Sequence, residues 1–134
     1  MKKTLLMSII TINSFFIFLS TAYSSDWFYI DSDKTGDKHY IDLDTITFNG
    51  PVATFWVKNI DTKGEEMKTR YSIHCGNKIA AIRDIFVYGS DGTILKSYSP
   101  KDNKLQWLKI PPDSISNSFY KFLCSERLYN SPRS

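Results

Sequence analysis

The side chains best suited to do chemistry in this sequence are two histidines and two cysteines: His39, His74, Cys75 and Cys124. His74 stands directly before Cys75. That adjacency suggests a thiol–imidazole pair, in which the ring takes the thiol proton and leaves a nucleophilic thiolate. A strand carries successive side chains on opposite faces, so neighbours in an extended segment diverge rather than meet. The two histidines are 35 positions apart and fall in no His/His or Cys/His metal spacing. No G-x-S-x-G elbow and no Gly-rich phosphate loop is present. Asp31, Asp33 and Asp37 crowd one stretch. They read either as a loose carboxylate site or as turn formers, and the Gly and terminal Glu positions of an EF-hand are missing. Neither a catalytic set nor a metal or cofactor site is expected.

Binding is the remaining kind of chemistry. Lys63, Lys68 and Arg70 form a small basic cluster near one hairpin tip, with Glu65 and Glu66 diluting it. They read as an anion or protein contact, or as a solvated face. Trp27, Trp56 and Trp107 could stack a ligand or fill a core.

The elements that position these residues start with an export signal. Lys2 and Lys3 precede an apolar run from Leu5 to Leu19, and Ser20, Ala22 and Ser24 follow as small residues. That order is a secretory signal peptide. The run is 15 residues with Asn13 inside it, short of the roughly 20 that a spanning helix needs. Cleavage after Ala22 or after Ser24 fits; the first is preferred and makes residues 1–22 the leader and 23–134 one domain. No Cys follows the apolar run, so no lipid acceptor is expected and the mature chain has no integral span. Loss of Lys2 and Lys3 takes the formal charge from +3 to +1. The basic character is then mostly the leader's, which excludes a nucleic-acid face.

Export places Cys75 and Cys124 in an oxidising compartment, where two cysteines permit one internal pairing; the alternative is two buried thiols. A bridge closing about 50 residues is worth roughly 4 kcal/mol in the chain-entropy account. Against a total of about 5–15 kcal/mol, that decides whether so small a domain stays folded.

Short apolar-aromatic segments broken by turn signals predict an α+β fold: a mainly antiparallel sheet of about six strands with one C-terminal helix. Strands are expected at Trp27–Ile30, His39–Leu43, Val52–Ile60, Met67–Cys75, Lys78–Tyr88 and Thr93–Tyr98, with shorter ones at Ile46–Phe48 and Leu105–Ile110. Asn49-Gly50 signals a two-residue hairpin. In the fifth segment Met67, Thr69, Tyr71, Ile73 and Cys75 share the core face. KIAAIRDI from Lys78 competes as a helix, but the Val-Tyr ending favours strand. After Pro111-Pro112, Asp113 or Ser114 caps a helix whose stripe is Ile115, Phe119, Phe122 and Leu123. Cys124 points away from that stripe, so either the helix loosens there or its other flank meets the end of the Met67–Cys75 strand. Arg127–Ser134 reads as a frayed tail.

Several segments in this order resemble the surface-adhesin protein E family. They are WFYID at Trp27–Asp31, HYIDLDTI at His39–Ile46, NG at Asn49–Gly50, VATFWVK at Val52–Lys58, and VYGSDGTIL at Val87–Leu95. Trp107 to Ile115 with its proline-aspartate-serine helix entry completes the set, together with the spacing of Cys75 and Cys124. The resemblance implies an antiparallel sheet domain with a C-terminal helix. It also implies a surface or periplasmic module of a Gram-negative bacterium that binds a protein ligand, such as a host matrix or serum protein, and can form a homodimer. The missing lipid-accepting Cys departs from the family's anchored display. An exported inhibitor or immunity-type protein, with the DSDKTGDK or DTKGEE turn plugging an enzyme cleft, is the other reading. Recognition by sheet-edge pairing or by hairpin tips fits either.

Overall fold

The computed structural model describes residues 25–125. The expected leader at 1–22 and the expected tail at 127–134 lie outside them. The described chain folds as one antiparallel sheet with a single helix on one face. Six strands form the main run, in the order β1 (Trp27–Ser32), β2 (Lys38–Asp42), β4 (Val52–Ile60), β5 (Glu66–His74), β6 (Ile79–Tyr88) and β7 (Ile94–Tyr98). Two short strands sit beside it: β3 (Thr47–Asn49) pairs with β4, and β8 (Leu108–Lys109) pairs with β6. Every pairing is antiparallel. The expected α+β class holds, and KIAAIRDI is strand.

Alternation in β4 explains the two faces. Ala53, Phe55 and Val57 point to the helix side and are buried, with Ile41 from β2 and Ile73 from β5. Helix α1 (Ile115–Leu123) lays Phe119 and Leu123 onto them, and Ile110 closes the cluster. The Phe119 ring meets Phe55 at 5.8 Å and Tyr71 at 5.7 Å between centroids. Phe122 stacks on Phe28 at 5.4 Å, tying the helix to β1. As expected, Thr69 and Ile73 of β5 are buried on this side. Ser72, on the other side, is buried as well, because the Arg83 Nε–H donates to its hydroxyl and Thr54 Oγ1 lies 2.8 Å away.

Two local details differ from the expected pattern, and the choice left open between two helix caps is resolved. At the β3/β4 hairpin Asn49 pairs with Val52, so the turn is centred on Gly50-Pro51, with Gly50 at φ 57°. Proline fixes the second position at negative φ, which is the II′ arrangement. The expected strand Leu105–Ile110 shrinks to two residues, because Asp102–Lys104 forms a 3-10 turn that hands the chain over only at Leu108. The helix is capped by Ser114, whose Oγ accepts from the Asn117 N–H at 3.1 Å, while Asp113 takes a left-handed backbone at φ 57°.

At the other end Cys124 leaves the helical conformation, with φ −92° and ψ 11°. That loosening lets it reach Cys75, just beyond β5, and form the disulfide, with 5.5 Å between Cα atoms. Of the two ways the sequence allowed for reaching Cys75, the helix end opens.

Candidate binding surfaces

The residues singled out as reactive are structurally engaged. Cys75 is in the disulfide. His74 Nδ1 accepts from the Asn77 N–H at 3.0 Å. His39 is buried with its Nε2 3.0 Å from Asp33 Oδ2 and its ring edge toward Phe119. That His–Asp pair was not visible in the sequence. It needs β2 folded back beside the turn that carries Asp33. Among the described residues no group of three or more His, Cys, Asp or Glu side chains is placed to hold a metal ion. No described helix is long and apolar enough to cross a membrane. Three surfaces remain that could meet a partner.

The first is the sheet face away from the helix. Trp56, Lys58, Lys68 and Arg70 alternate with the core residues of β4 and β5 and so point outward together. Lys58 Nζ stands 4.7 Å from the Trp27 ring centre and 5.3 Å from that of Tyr40. Lys68 Nζ lies 5.0 Å from the Tyr88 ring and 3.5 Å from Glu66 Oε1. Arg70 stacks over Trp56 at 5.9 Å and its Nε–H donates to Asp84. Of the basic residues named from sequence, Lys68 and Arg70 share this face and each has a carboxylate beside it. Lys63 stands apart, on the exposed turn between β4 and β5. The ring quadrupoles hold the cations flat against the sheet, so the aromatic residues here, Trp27 and Trp56 included, are covered in part by charge.

The second surface is a pair of turns. Asp33 accepts from the N–H groups of Thr35 and Asp37 and from the Thr35 hydroxyl at 2.6 Å. These bonds, the Thr35 hydroxyl foremost and then His39, hold its carboxyl far below the usual value of 3.8. Asp61 knits the next turn the same way, accepting from the Lys63 and Glu65 N–H groups. The two tips touch: a Cβ added at Gly36 would come within 3.3 Å of Thr62 Cγ2. The aspartates thus act as turn formers.

The third surface is the β7 edge, one of the two ends of the strand order, with β1 at the other. All five residues of β7 are exposed, with Ile94 57%, Leu95 63% and Tyr98 59% accessible. No described strand pairs with its outer side. Below its end lies a groove of about 400 Å³, lined by Tyr71, Ile82, Ile85, Tyr98, Leu108 and Ile110 among others. It opens where β6 lacks a neighbour. β7 covers Ile85–Tyr88 and β8 covers Ile79–Ala80, so the β6 residues between them have no strand partner on that side. Burial pushes the Tyr71 hydroxyl above its usual value of 10. The sequence predicts a strand at Thr93–Tyr98; its position at the edge depends on sheet order, which the pattern of single strands does not carry.

The chain matches the family model described as surface-adhesin protein E over residues 27–125. Its fold is similar to three solved structures of Haemophilus influenzae protein E. One aligns with TM-score 0.55 at 16% identity, covering 85% of this chain and 93% of the other. A selenomethionine form gives 0.52 at 18% identity over 72% and 85%. Protein E from a non-typeable strain gives 0.50 at 16% over 74% and 76%. No curated protein sequence matches the chain.

Proposed function

The chain belongs to the surface-adhesin protein E family, and on that premise we propose that it is an exported, non-enzymatic protein-binding module. Residues 1–22 act as a cleaved signal and residues 23–134 are the mature domain, delivered to the periplasm or the cell surface of a Gram-negative bacterium without a lipid anchor. Its ligand is a protein, of the host matrix or serum or of the bacterial envelope, and a second copy of the chain is a further partner. Lys63 is a contact residue at a turn tip; Lys68 and Arg70 contribute through the cation-covered sheet face. The observation that carries this reading is β7, an apolar strand with its outer edge open. An unpaired edge is a template for another chain, and Lys96 is the one charged side chain on this strand. The test is direct: purified mature protein, checked for folding by thermal melting, is passed over immobilised matrix and serum proteins. The same protein is passed over immobilised envelope proteins; saturable binding to at least one protein of the two panels supports the reading, and a folded protein that binds none of them sinks it.

A second reading is favoured by the turn pair. The DSDKTGDK and DTKGEE tips lie side by side, each fastened by its own aspartate. A rigid exposed double tip suits the blocking of an enzyme cleft, as an inhibitor or immunity-type protein would. Pull-down from periplasmic extract distinguishes the two, since an inhibitor recovers one enzyme at tight stoichiometry.

A further inference from the structure

We propose that the partner segment is an extended, acidic peptide strand that pairs with the outer edge of β7 and lowers an apolar side chain into the groove at the end of that strand. The inference rests on the protein-binding reading and specifies its chemistry. Two requirements for strand addition meet in one place here: an open edge and a pocket for an alternate side chain. Tyr98 belongs to both, as the last residue of β7 and as a wall of the groove. A side chain from an added strand, pointing to the helix side near Tyr98, would face Ile82, Ile85 and Leu108. Leu108 is 65% exposed and Ile82 is partly so, so apolar surface is open for a partner's side chain to cover.

Charge sets the remaining chemistry. Lys96, Lys101, Lys104 and Lys109 are all exposed, on β7 and on the segment that borders the groove. Lys104 and Lys109 line the groove itself. Among the described residues no carboxylate lies within ion-pair distance of any of these four lysines. The one acid in this stretch, Asp102, is held by Arg83 Nη1 at 3.3 Å. Lys96 stands two residues from Tyr98 and so shares its strand face. Unopposed cations flanking an apolar slot repel a basic segment and attract an acidic one. The cation-covered open face differs in this respect, since Lys68 and Arg70 there already have acidic partners.

The probe is a fluorescein-labelled decapeptide alternating Glu with Val and Leu, titrated against the full mature protein. Two counterparts accompany it, one with Lys in place of every Glu and one with N-methylated alternate amides. The acidic peptide should bind saturably and shift backbone amides of Ile94–Tyr98. The lysine and N-methylated peptides should each bind roughly tenfold more weakly or worse. The Lys104→Glu/Lys109→Glu variant, changed only at exposed positions, should lose about tenfold toward the acidic peptide, and Leu108→Glu should lose affinity in the same direction. The idea is overturned if the acidic and basic peptides bind alike, if the N-methylated peptide binds as well as the parent, if amide shifts gather elsewhere, or if no peptide binds. A matrix or serum ligand that binds wild type and Lys104→Glu/Lys109→Glu equally well also overturns it, while leaving the protein-binding reading intact.

Discussion

Asp33 is where one side chain does most to order its surroundings. It collects two backbone N–H groups, the Thr35 hydroxyl and His39, and its carboxyl titrates far below 3.8 as a result. A carboxyl with a depressed folded value binds its proton less readily folded than unfolded. Its stabilisation is therefore complete above the unfolded value and is lost as pH falls toward the folded one. Urea midpoints of wild type and Asp33→Asn should differ by a constant amount above about pH 5, and the gap should close below about pH 4. Ser72 is a second such point. Ser72→Ala should cost about 1 kcal/mol, since it leaves the half-buried Arg83 Nε–H without its acceptor; equilibrium denaturation measures it. The turn-forming role of Asp33 was legible because Asp and Gly signal turns locally, whereas Asp31 lies in β1 and accepts from the Ser118 hydroxyl of the helix. The His39–Asp33 contact was not legible, because it depends on the path of the turn between them, nor was the burial of Ser72, which depends on Arg83 and Thr54 from neighbouring strands.

Elements were legible where their pattern was internal to them. The nine residues of β4 are those the sequence marked, since Val, Thr, Phe and Trp fill them. Helix α1 was marked by its apolar stripe and by Asp113 or Ser114 as its cap, of which Ser114 serves. Ser114→Ala should cost about 1 kcal/mol, read as a lower thermal midpoint with the disulfide intact. Phe119→Ala should cost about 3–5 kcal/mol, because its ring touches Phe55, Tyr71 and His39 at once. The strand expected at Leu105–Ile110 failed for a reason of context. Its residues suit a strand, but the 3-10 turn at Asp102–Lys104 leaves only Leu108 and Lys109 opposite Ala80 and Ile79. That shortening leaves the notch beside β6, so the groove follows from an element that formed less than its sequence allowed.

At the scale of the whole molecule, one helix covers part of one face of an eight-stranded sheet, and the bridge from Cys75 to Cys124 ties the end of that helix to the sheet. The bridge closes a loop with sequence separation 49. Replacing both cysteines by Ser should lower stability by roughly 4 kcal/mol, measured as a shift in denaturant midpoint under oxidising conditions. The two-cysteine count and the expected export signal pointed to this bond. The order of strands was not legible, because pairing between distant strands depends on the whole set of side-chain faces and turns. With the order goes the identity of the open edge, and with the edge the place where a partner adds. Hydrogen–deuterium exchange on the mature protein, with and without its best matrix or serum ligand, tests that place most directly. Binding along β7 predicts slowed exchange confined to Ile94–Tyr98 and the following segment to Lys109. Slowing at the Asp33 and Asp61 turns instead, or on no strand at all, would contradict it.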